Sequence, residues 1–352
     1  MDSTAEDFQI INKLECNYCN SYSTDPVLEY NDLNKLLEKI KVFGKKNKYD
    51  CIIGISGGLD SSYLLVKAKE FGLRPLAVHM DNGWNSELAQ SNISNLVKSL
   101  NIDLYTEVLD WSIYKNMQIA FLKSDVVDIE LLYDNAMLAV LYQQAKKHNV
   151  KFILGGTNHK MEGLRMPLNW VWYKFDGKMI KSICNSYKIS FKNYPMVTLF
   201  KWIYYRKICK INWISLLDYF DFNKIEATNY LVDKFNYKKY PYKHYENVFT
   251  RFYQGYILLN KFGIDKRKLH LSNLILSKQL TRDEGLKLLE ESPYDESQLR
   301  IDKNYVLSKL GLTNSDFDFD DYIKRPPKLH TIFYTDLFLY NKLLKIYNFF
   351  KK

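Results

Sequence analysis

Residues 56–62 read Ser-Gly-Gly-Leu-Asp-Ser-Ser, a combination suited to holding phosphate groups. An apolar run at 51–55 precedes them and a stretch with helical spacing follows from residue 63, which predicts a turn between a buried strand and a helix. Such a turn points backbone N–H groups and the positive end of a helix dipole into one concavity. The glycines allow close approach of the backbone, and the serines add hydroxyl donors. The predicted phosphate-binding residues are Ser56, Gly57, Gly58, Asp60, Ser61 and Ser62.

Asp60 is the acidic member of this loop. A carboxylate beside bound phosphates would repel them unless a cation lies between, so the sequence predicts that Asp60 holds Mg²⁺. The loop lacks the Gly-Lys-Ser/Thr ending that kinases and GTPases of the Walker type carry, which excludes that class. The alternative is a tight turn in which Asp60 caps a helix. The complete seven-residue pattern between a strand and a helix favours phosphate binding.

Two further polar motifs follow predicted strands. Residues 81–83, Asp-Asn-Gly, come after an apolar run at 73–80, and residues 155–158 come after the run at 152–154. Ligands in open α/β sheets bind at the carboxyl ends of the strands, so we expect both motifs to face the loop. This adds three predicted nucleotide contacts, namely Asp81, Gly156 and Thr157. Asp134, at the start of a predicted helix, is either a second Mg²⁺ ligand or a helix cap.

The order of these elements predicts the fold. Strand and helix patterns alternate through residues 45–195, which indicates a doubly wound parallel sheet of the α/β class. The predicted domains are an N-terminal segment at 1–44 with a Cys-x-x-Cys motif, the sheet domain at 45–195, and a mostly helical region at 196–352 that contacts substrate or partner.

Composition narrows the class of protein. The 352 residues are 47% hydrophobic and 26% charged, as in a folded globular protein. The sequence has no apolar run of the roughly 20 residues that a membrane span requires, its first residues are acidic, and its five cysteines are irregularly spaced. We therefore expect a cytoplasmic protein with reduced thiols. The net charge of +10 fits nucleic acid, an anionic small molecule, or a Lys-rich coding bias.

The loop at 56–62 resembles that of the PP-loop ATP-pyrophosphatases, which include GMP synthetase, asparagine synthetase, NAD synthetase and tRNA-thiolating enzymes. The resemblance implies an adenine nucleotide alpha hydrolase-like fold. It also implies ATP and Mg²⁺ as cofactors, with cleavage between the α and β phosphates and transfer of the adenylyl group to an acceptor.

Residues 162–163, 167–170 and the block at 243–275 are similar to the N-acetyl sugar amidotransferases of bacterial O-antigen and nonulosonic-acid synthesis. That resemblance covers nearly the whole chain. It implies conversion of an acetamido group, on a nucleotide-linked sugar, to an acetamidino group. It further implies two partners, a separate glutaminase that supplies ammonia and a cyclase-like barrel protein. No nucleic acid is expected.

The same resemblance suggests catalytic residues in the block. Lys243 and Arg251 would neutralise phosphates or the nucleotide of the sugar donor, and His244 or Glu246 would accept a proton from ammonia. Without the resemblance, residues 243–270 are an amphipathic helical region with a solvated basic face.

Cys16 and Cys19 form half of a zinc knuckle. Members of the family carry another cysteine pair just before the Met-Asp-Ser/Thr stretch, and this sequence begins at that Met. We expect either that residues before this Met complete the zinc site, or that the site is incomplete, or that Cys184 or Cys209 contributes to it. Two ordinary buried thiols are the alternative to structural zinc.

Two rival functions remain at the level of sequence. A PP-loop tRNA-modifying enzyme, a thiolase or lysidine-type ligase, would explain the basic charge, but the cysteines are poorly spaced for persulfide chemistry. A scaffold that binds ATP without turnover shares the same motif.

Overall fold

A computed structural model describes residues 1–13, 15–24, 30–219, 221–240 and 246–342. Within these ranges there are five strands: β1 (Cys51–Gly54), β2 (Pro75–Asp81), β3 (Leu104–Val108), β4 (Phe152–Gly155) and β5 (Asn212–Ser215). They pair in parallel in the order β3-β2-β1-β4-β5. The predicted doubly wound α/β fold is confirmed.

The described residues also form helices. They are α1 (Asn17–Thr24), α2 (Tyr30–Gly44), α3 (Leu59–Glu70), α4 (Glu87–Leu100), α5 (Trp111–Lys123), α6 (Leu131–Lys147), α7 (His159–Glu162), α8 (Gly177–Ser186), α9 (Leu199–Ile203), α10 (Lys224–Phe235), α11 (Val248–Phe252), α12 (Leu258–Phe262), α13 (Arg267–Leu276), α14 (Arg282–Glu290), α15 (Glu296–Leu310) and α16 (Phe319–Lys324). A π-helical turn, Tyr253–Ile257, joins α11 to α12 without a break. None of these helices combines the length and apolar character of a membrane span.

Two hydrophobic cores, one on each face, hold the sheet. Ile52 of β1 and Ile153 of β4 are register partners and belong to one core, whereas their neighbours Ile53 and Leu154 belong to the other. Successive side chains of a strand point to opposite faces, so a strand between two cores is apolar throughout. This explains why polar and apolar residues do not alternate in the runs at 51–55 and 152–154.

The strand order reverses between β1 and β4. The chain proceeds from β1 outward to β2 and β3, then returns to the other side of β1 to place β4 and β5. Diverging connections open a crevice at the carboxyl ends of β1 and β4, which is where α/β sheets bind ligands. The loop after β1 and the motif after β4 therefore meet at this crevice.

The fifth strand was absent from our sequence predictions. Residues 212–215 lie in the region after residue 195 that we expected to be mostly helical, and they pair with β4. Four partly exposed residues at a sheet edge give a weak strand pattern. The sheet thus continues beyond residue 195, and the domain boundary there stays a prediction.

Candidate active site

The loop at 56–62 forms the predicted turn between β1 and α3. Gly58 caps α3 without a side-chain hydrogen bond, and the first N–H groups of a helix have no acceptor within the helix itself. Inside the loop the Ser56 N–H donates to Ser61 Oγ at 3.3 Å, and the Gly58 N–H donates to Ser56 Oγ at 3.2 Å. The serine hydroxyls therefore shape the turn as well as offering donors.

Close packing explains the glycines of the crevice. Gly57 has φ +82°, and a Cβ there would lie 2.7 Å from the Ala89 carbonyl oxygen in α4. A Cβ on Gly156 would lie 3.1 Å from the Ser61 backbone nitrogen. Only glycine allows the loop to pass this close to its neighbours. Gly156 thus supports the loop by packing against the first turn of α3.

Tyr240 supports the loop from the other side, and sequence reasoning missed it. Its hydroxyl donates to the Gly57 carbonyl at 3.1 Å, and Asn92 Nδ2 in turn donates to that hydroxyl at 3.3 Å. Burial raises the pKa of Tyr240, so the phenol stays a neutral donor. The Asn92 side chain also donates to the Lys238 carbonyl and accepts from the Lys238 N–H. A single Tyr in a Lys-rich stretch gave no sequence signal of this role.

The motifs after β2 and β4 are ordered by local hydrogen bonds. Asp81 Oδ1 accepts from the Gly83 N–H at 2.8 Å and from Asn85 Nδ2 at 3.2 Å. Thr157 Oγ1 lies 2.7 Å from Ser215 Oγ of β5. Both motifs lie at the carboxyl edge of the sheet, as expected. Their contacts with a nucleotide stay predictions.

A cavity of about 520 Å³ opens beside the loop. Its lining joins the sheet, the stretch at 162–174 and the helices after residue 246. The lining residues are Ser56, Asn85, Glu130, Tyr133, Asp134, Glu162, Gly163, Leu164, Arg165, Met166, Val171, Lys174, Glu246, Asn247, Thr250, Gln254, Lys266, Leu269, His270 and Asn273. Most are polar or charged, so the cavity suits a hydrophilic ligand with many hydrogen-bonding groups.

Lys174 is a cation of the cavity that two carboxylates hold. Its ammonium lies 2.6 Å from Asp128 Oδ2 and 2.8 Å from Asp134 Oδ2. Asp128 is buried and also accepts the Trp172 N–H. Burial acts to lower the pKa of Lys174, but the two carboxylates outweigh it and the pKa is raised. Lys174 is therefore a permanent cation, and sequence reasoning missed it.

Glu246 reaches the loop from the C-terminal region. The Ser86 N–H donates to the Glu246 carbonyl at 2.9 Å, and Asn85 pairs with Asn247 in an antiparallel bridge. A methyl group on Gly58 would lie 3.5 Å from Glu246 Oε1. The Glu246 carboxylate thus lies over the start of α3, where the predicted phosphate site is.

Of the other residues predicted as catalytic in the block at 243–275, the structure describes Arg251 alone. Lys243 and His244 lie outside the described residues. The Arg251 guanidinium forms two hydrogen bonds of 2.7 Å with Asp302, which is buried. This pairing joins α11 to α15 and gives Arg251 a structural role. Its predicted contact with phosphates stays untested.

The metal predictions differ in how well the residues fit them. Within the described ranges, no group of three or more His, Cys, Asp or Glu is placed to hold a metal ion. Mg²⁺ usually takes one or two carboxylates and completes its shell with water and substrate phosphates, so a site with Asp60 or Asp134 needs no third protein ligand. In this structure Asp134 pairs with Lys174.

Zinc is not supported. Cys16 Sγ and Cys19 Sγ lie 3.5 Å apart, but a structural zinc site needs four ligands, and neither Cys184 nor Cys209 joins the pair within the described ranges. Burial raises the pKa of the Cys19 thiol, which opposes the thiolate that zinc requires.

Comparison with known proteins gives one family match. Residues 246–347 match the model described as the C-terminal domain of WbpG-like LPS biosynthesis proteins. Over these residues, the predicted resemblance to a lipopolysaccharide-related family is confirmed. No curated protein sequence matches the chain.

Solved structures show only distant likeness. A predicted subunit of tRNA methyltransferase from Methanocaldococcus jannaschii is 15% identical, with 52% of this chain and 73% of that chain covered and a TM-score of 0.30. The NH3-dependent NAD synthetase from Campylobacter jejuni subsp. jejuni is 12% identical, with coverages of 85% and 98% and a TM-score of 0.31. NMN synthetase from Francisella tularensis is 17% identical, with coverages of 64% and 99% and a TM-score of 0.30.

Proposed function

We propose, starting from the lipopolysaccharide-related match of residues 246–347, that this protein is an ATP-dependent amidotransferase that converts a sugar acetamido group to an acetamidino group. In this proposal the reaction forms AMP and pyrophosphate and serves the synthesis of a surface polysaccharide. Because ATP is the donor, we expect it to take place in the cytoplasm.

One observation carries the proposal: a loop built for phosphate and a polar cavity meet at the same edge of the sheet. Ser56 belongs to both, and Glu246, the first residue of the matched domain, also lines the cavity and lies over Gly58. An adenylyl donor in the loop would thus face an acceptor in the cavity.

The first proposed step activates the acetamido group. Its carbonyl oxygen attacks the α-phosphorus of ATP, a P–O bond forms, and the bond to the β-phosphate breaks to release pyrophosphate. The N–H groups at the start of α3 would hold the phosphates in line. Mg²⁺ held by Asp60 and Asp134 would supply positive charge to the pyrophosphate.

The second proposed step exchanges oxygen for nitrogen. The lone pair of ammonia attacks the activated carbon, the nitrogen loses a proton, and the C–O bond breaks so that AMP leaves with the former carbonyl oxygen. The Glu246 carboxylate is our candidate for the proton acceptor, since it lines the cavity beside the loop. His244 remains the alternative.

The polar lining supports a sugar as acceptor. Carboxylates, amides and hydroxyls such as Glu130, Asn247 and Thr250 suit the hydroxyl groups of a sugar. From the resemblance of the sequence, we propose that ammonia comes from a separate glutaminase and that a cyclase-like barrel protein accompanies it.

Incubation with ATP, an ammonium salt and nucleotide-linked acetamido sugars tests the proposal. We expect AMP and a sugar in which NH replaces one oxygen, in equal amounts. AMP formed only when tRNA is added would overturn the proposal in favour of a PP-loop tRNA-modifying enzyme. Thiolation is disfavoured because no cysteine lines the cavity within the described ranges.

A further inference from the structure

The N-terminal segment folds back on itself before α1. The Ile11 N–H donates to the Glu15 carbonyl at 2.9 Å, and the Asn17 N–H donates to the Gln9 carbonyl at 2.9 Å. This hairpin brings Tyr18, which is completely buried, next to Asp7. Cys16 belongs to the same hairpin, where it pairs with Ile10, and Cys19 follows in α1.

Asp7 joins the hairpin to the stretch at 162–174. Its carboxylate accepts hydrogen bonds from the Tyr18 hydroxyl and from the Arg165 guanidinium. The guanidinium also lies 5.0 Å from the centre of the Tyr18 ring. The Tyr18 hydroxyl and Arg165 together lower the pKa of Asp7, so the carboxylate is ionised at neutral pH. The partly exposed Asp7 carboxylate thus accepts from two donors that lie far apart in the sequence.

Two further contacts attach the segment on either side of Asp7. The Asp2 carboxylate lies 2.5 Å from Lys268 Nζ in α13. The Thr4 carbonyl accepts from Asn169 Nδ2 at 3.0 Å and from Trp170 Nε1 at 3.1 Å. The segment is therefore bound both to α13 and to the stretch that precedes α8.

These two attached elements form one wall of the cavity. Arg165 lines it from the stretch at 162–174, and His270 lines it from α13, two residues after Lys268. The Leu164 N–H donates to Asn273 Oδ1 at 2.8 Å and ties the two elements together. The N-terminal segment lies against this wall, and none of its described residues lines the cavity.

We propose that Asp7 is a positioning residue of this cavity: through Arg165 it holds the wall that receives the acceptor and so contributes to acceptor affinity. The inference rests on the proposed function for the identity of the acceptor. The loop at 56–62 makes no contact with Asp7 among the described hydrogen bonds and ion pairs, so the nucleotide site is separate from it.

The test compares Asp7→Asn with Glu6→Gln in the full chain. Asn keeps the shape of Asp but removes the charge that holds Arg165, whereas the Glu6 side chain is exposed. We expect Asp7→Asn to raise the KM for the acetamido sugar by about tenfold or more, while kcat and the KM for ATP stay within about twofold. Asp7→Glu should restore part of the affinity. An acceptor KM equal to that of Glu6→Gln, or an equal loss for ATP, overturns the proposal.

Hydrogen exchange separates this proposal from the proposed function. In Asp7→Asn, amides at 163–170 should exchange several-fold faster than in the wild-type protein, while those of β1 and β2 keep their rates. Unchanged exchange at 163–170 refutes the positioning role, whatever the reaction is. A wild-type protein that does not amidate any acetamido sugar refutes the function, and this exchange experiment then decides the role of Asp7.

Discussion

His330 makes the stability of this protein depend on pH. Its ring is 4% exposed, stacks on Trp172 with ring centres 4.4 Å apart, and accepts the Asp128 N–H at Nε2 over 3.4 Å. An acceptor nitrogen must be unprotonated, so the folded protein requires the neutral imidazole. Burial lowers the pKa of His330 from 6.5 to about 4, although the Asp128 carboxylate acts against it.

The magnitude follows from the two pKa values. Because the pKa is lower in the folded state, the unfolded chain binds the extra proton between pH 6.5 and about pH 4. The stabilisation is complete above that window and is lost as the pH falls through it, at about 1.4 kcal/mol for each pH unit. At about pH 5, His330 protonation should therefore cost about 2 kcal/mol of the free energy of unfolding.

Urea unfolding of the wild-type protein and of His330→Phe measures this cost. Phe keeps the stacking on Trp172 but cannot be protonated. Between about pH 7.5 and about pH 5 the wild-type protein should lose about 2 kcal/mol more than the variant. Equal losses in both proteins, or an NMR titration of the His330 ring with a pKa near 6.5, would refute the reasoning.

Three further predictions concern the loop and the cavity. Gly57→Ala should lower the free energy of unfolding by about 2 kcal/mol or more and weaken ATP binding, because its Cβ would lie 2.7 Å from the Ala89 carbonyl oxygen. The control is Gly263→Ala, since Gly263 has φ +67° but no atom within 4 Å of the added Cβ. By thermal unfolding, this control should cost about 1 kcal/mol. Asp60→Asn should lower turnover with Mg-ATP by about a hundredfold at an unchanged melting temperature, and wild-type activity would contradict the metal assignment. Lys174→Met should cost about 3–5 kcal/mol because it leaves Asp128 buried without its cation, and adding Asp128→Asn should recover part of that loss; if it recovers none, the ion pair is not the cause.

The sequence predicts the central part of the fold well because burial on both faces gives continuous apolar runs. The runs at 51–55, 73–80 and 152–154 became β1, β2 and β4. β5 was not predicted because Asn212–Ser215 is short and partly exposed, which gives it a weak strand pattern. It forms a strand because it pairs with β4.

The site is predictable where the chemistry is local. Residues 56–62 carry their turn, glycines and donors in one stretch, and the structure forms that turn. Lys174 pairs with Asp128 and Tyr240 bonds to Gly57, and in both cases the two residues lie far apart in the sequence. A local sequence pattern therefore cannot predict these pairs. Arg251 is an example of a residue whose local sequence does not suggest its partner. Its charge suggests a contact with phosphate, but in the structure it pairs with Asp302, which lies too far along the sequence to be predicted as its partner.

The fate of the acetamido oxygen tests the central claim most directly. The protein would be incubated with ATP, ammonium and a nucleotide-linked acetamido sugar whose acetamido carbonyl carries heavy oxygen, and the products analysed by mass spectrometry. The proposed attack of that oxygen on the α-phosphorus predicts that the label appears in AMP and that the sugar carries NH in its place. AMP without label, or label retained in the sugar after turnover, would contradict adenylylation of the amide.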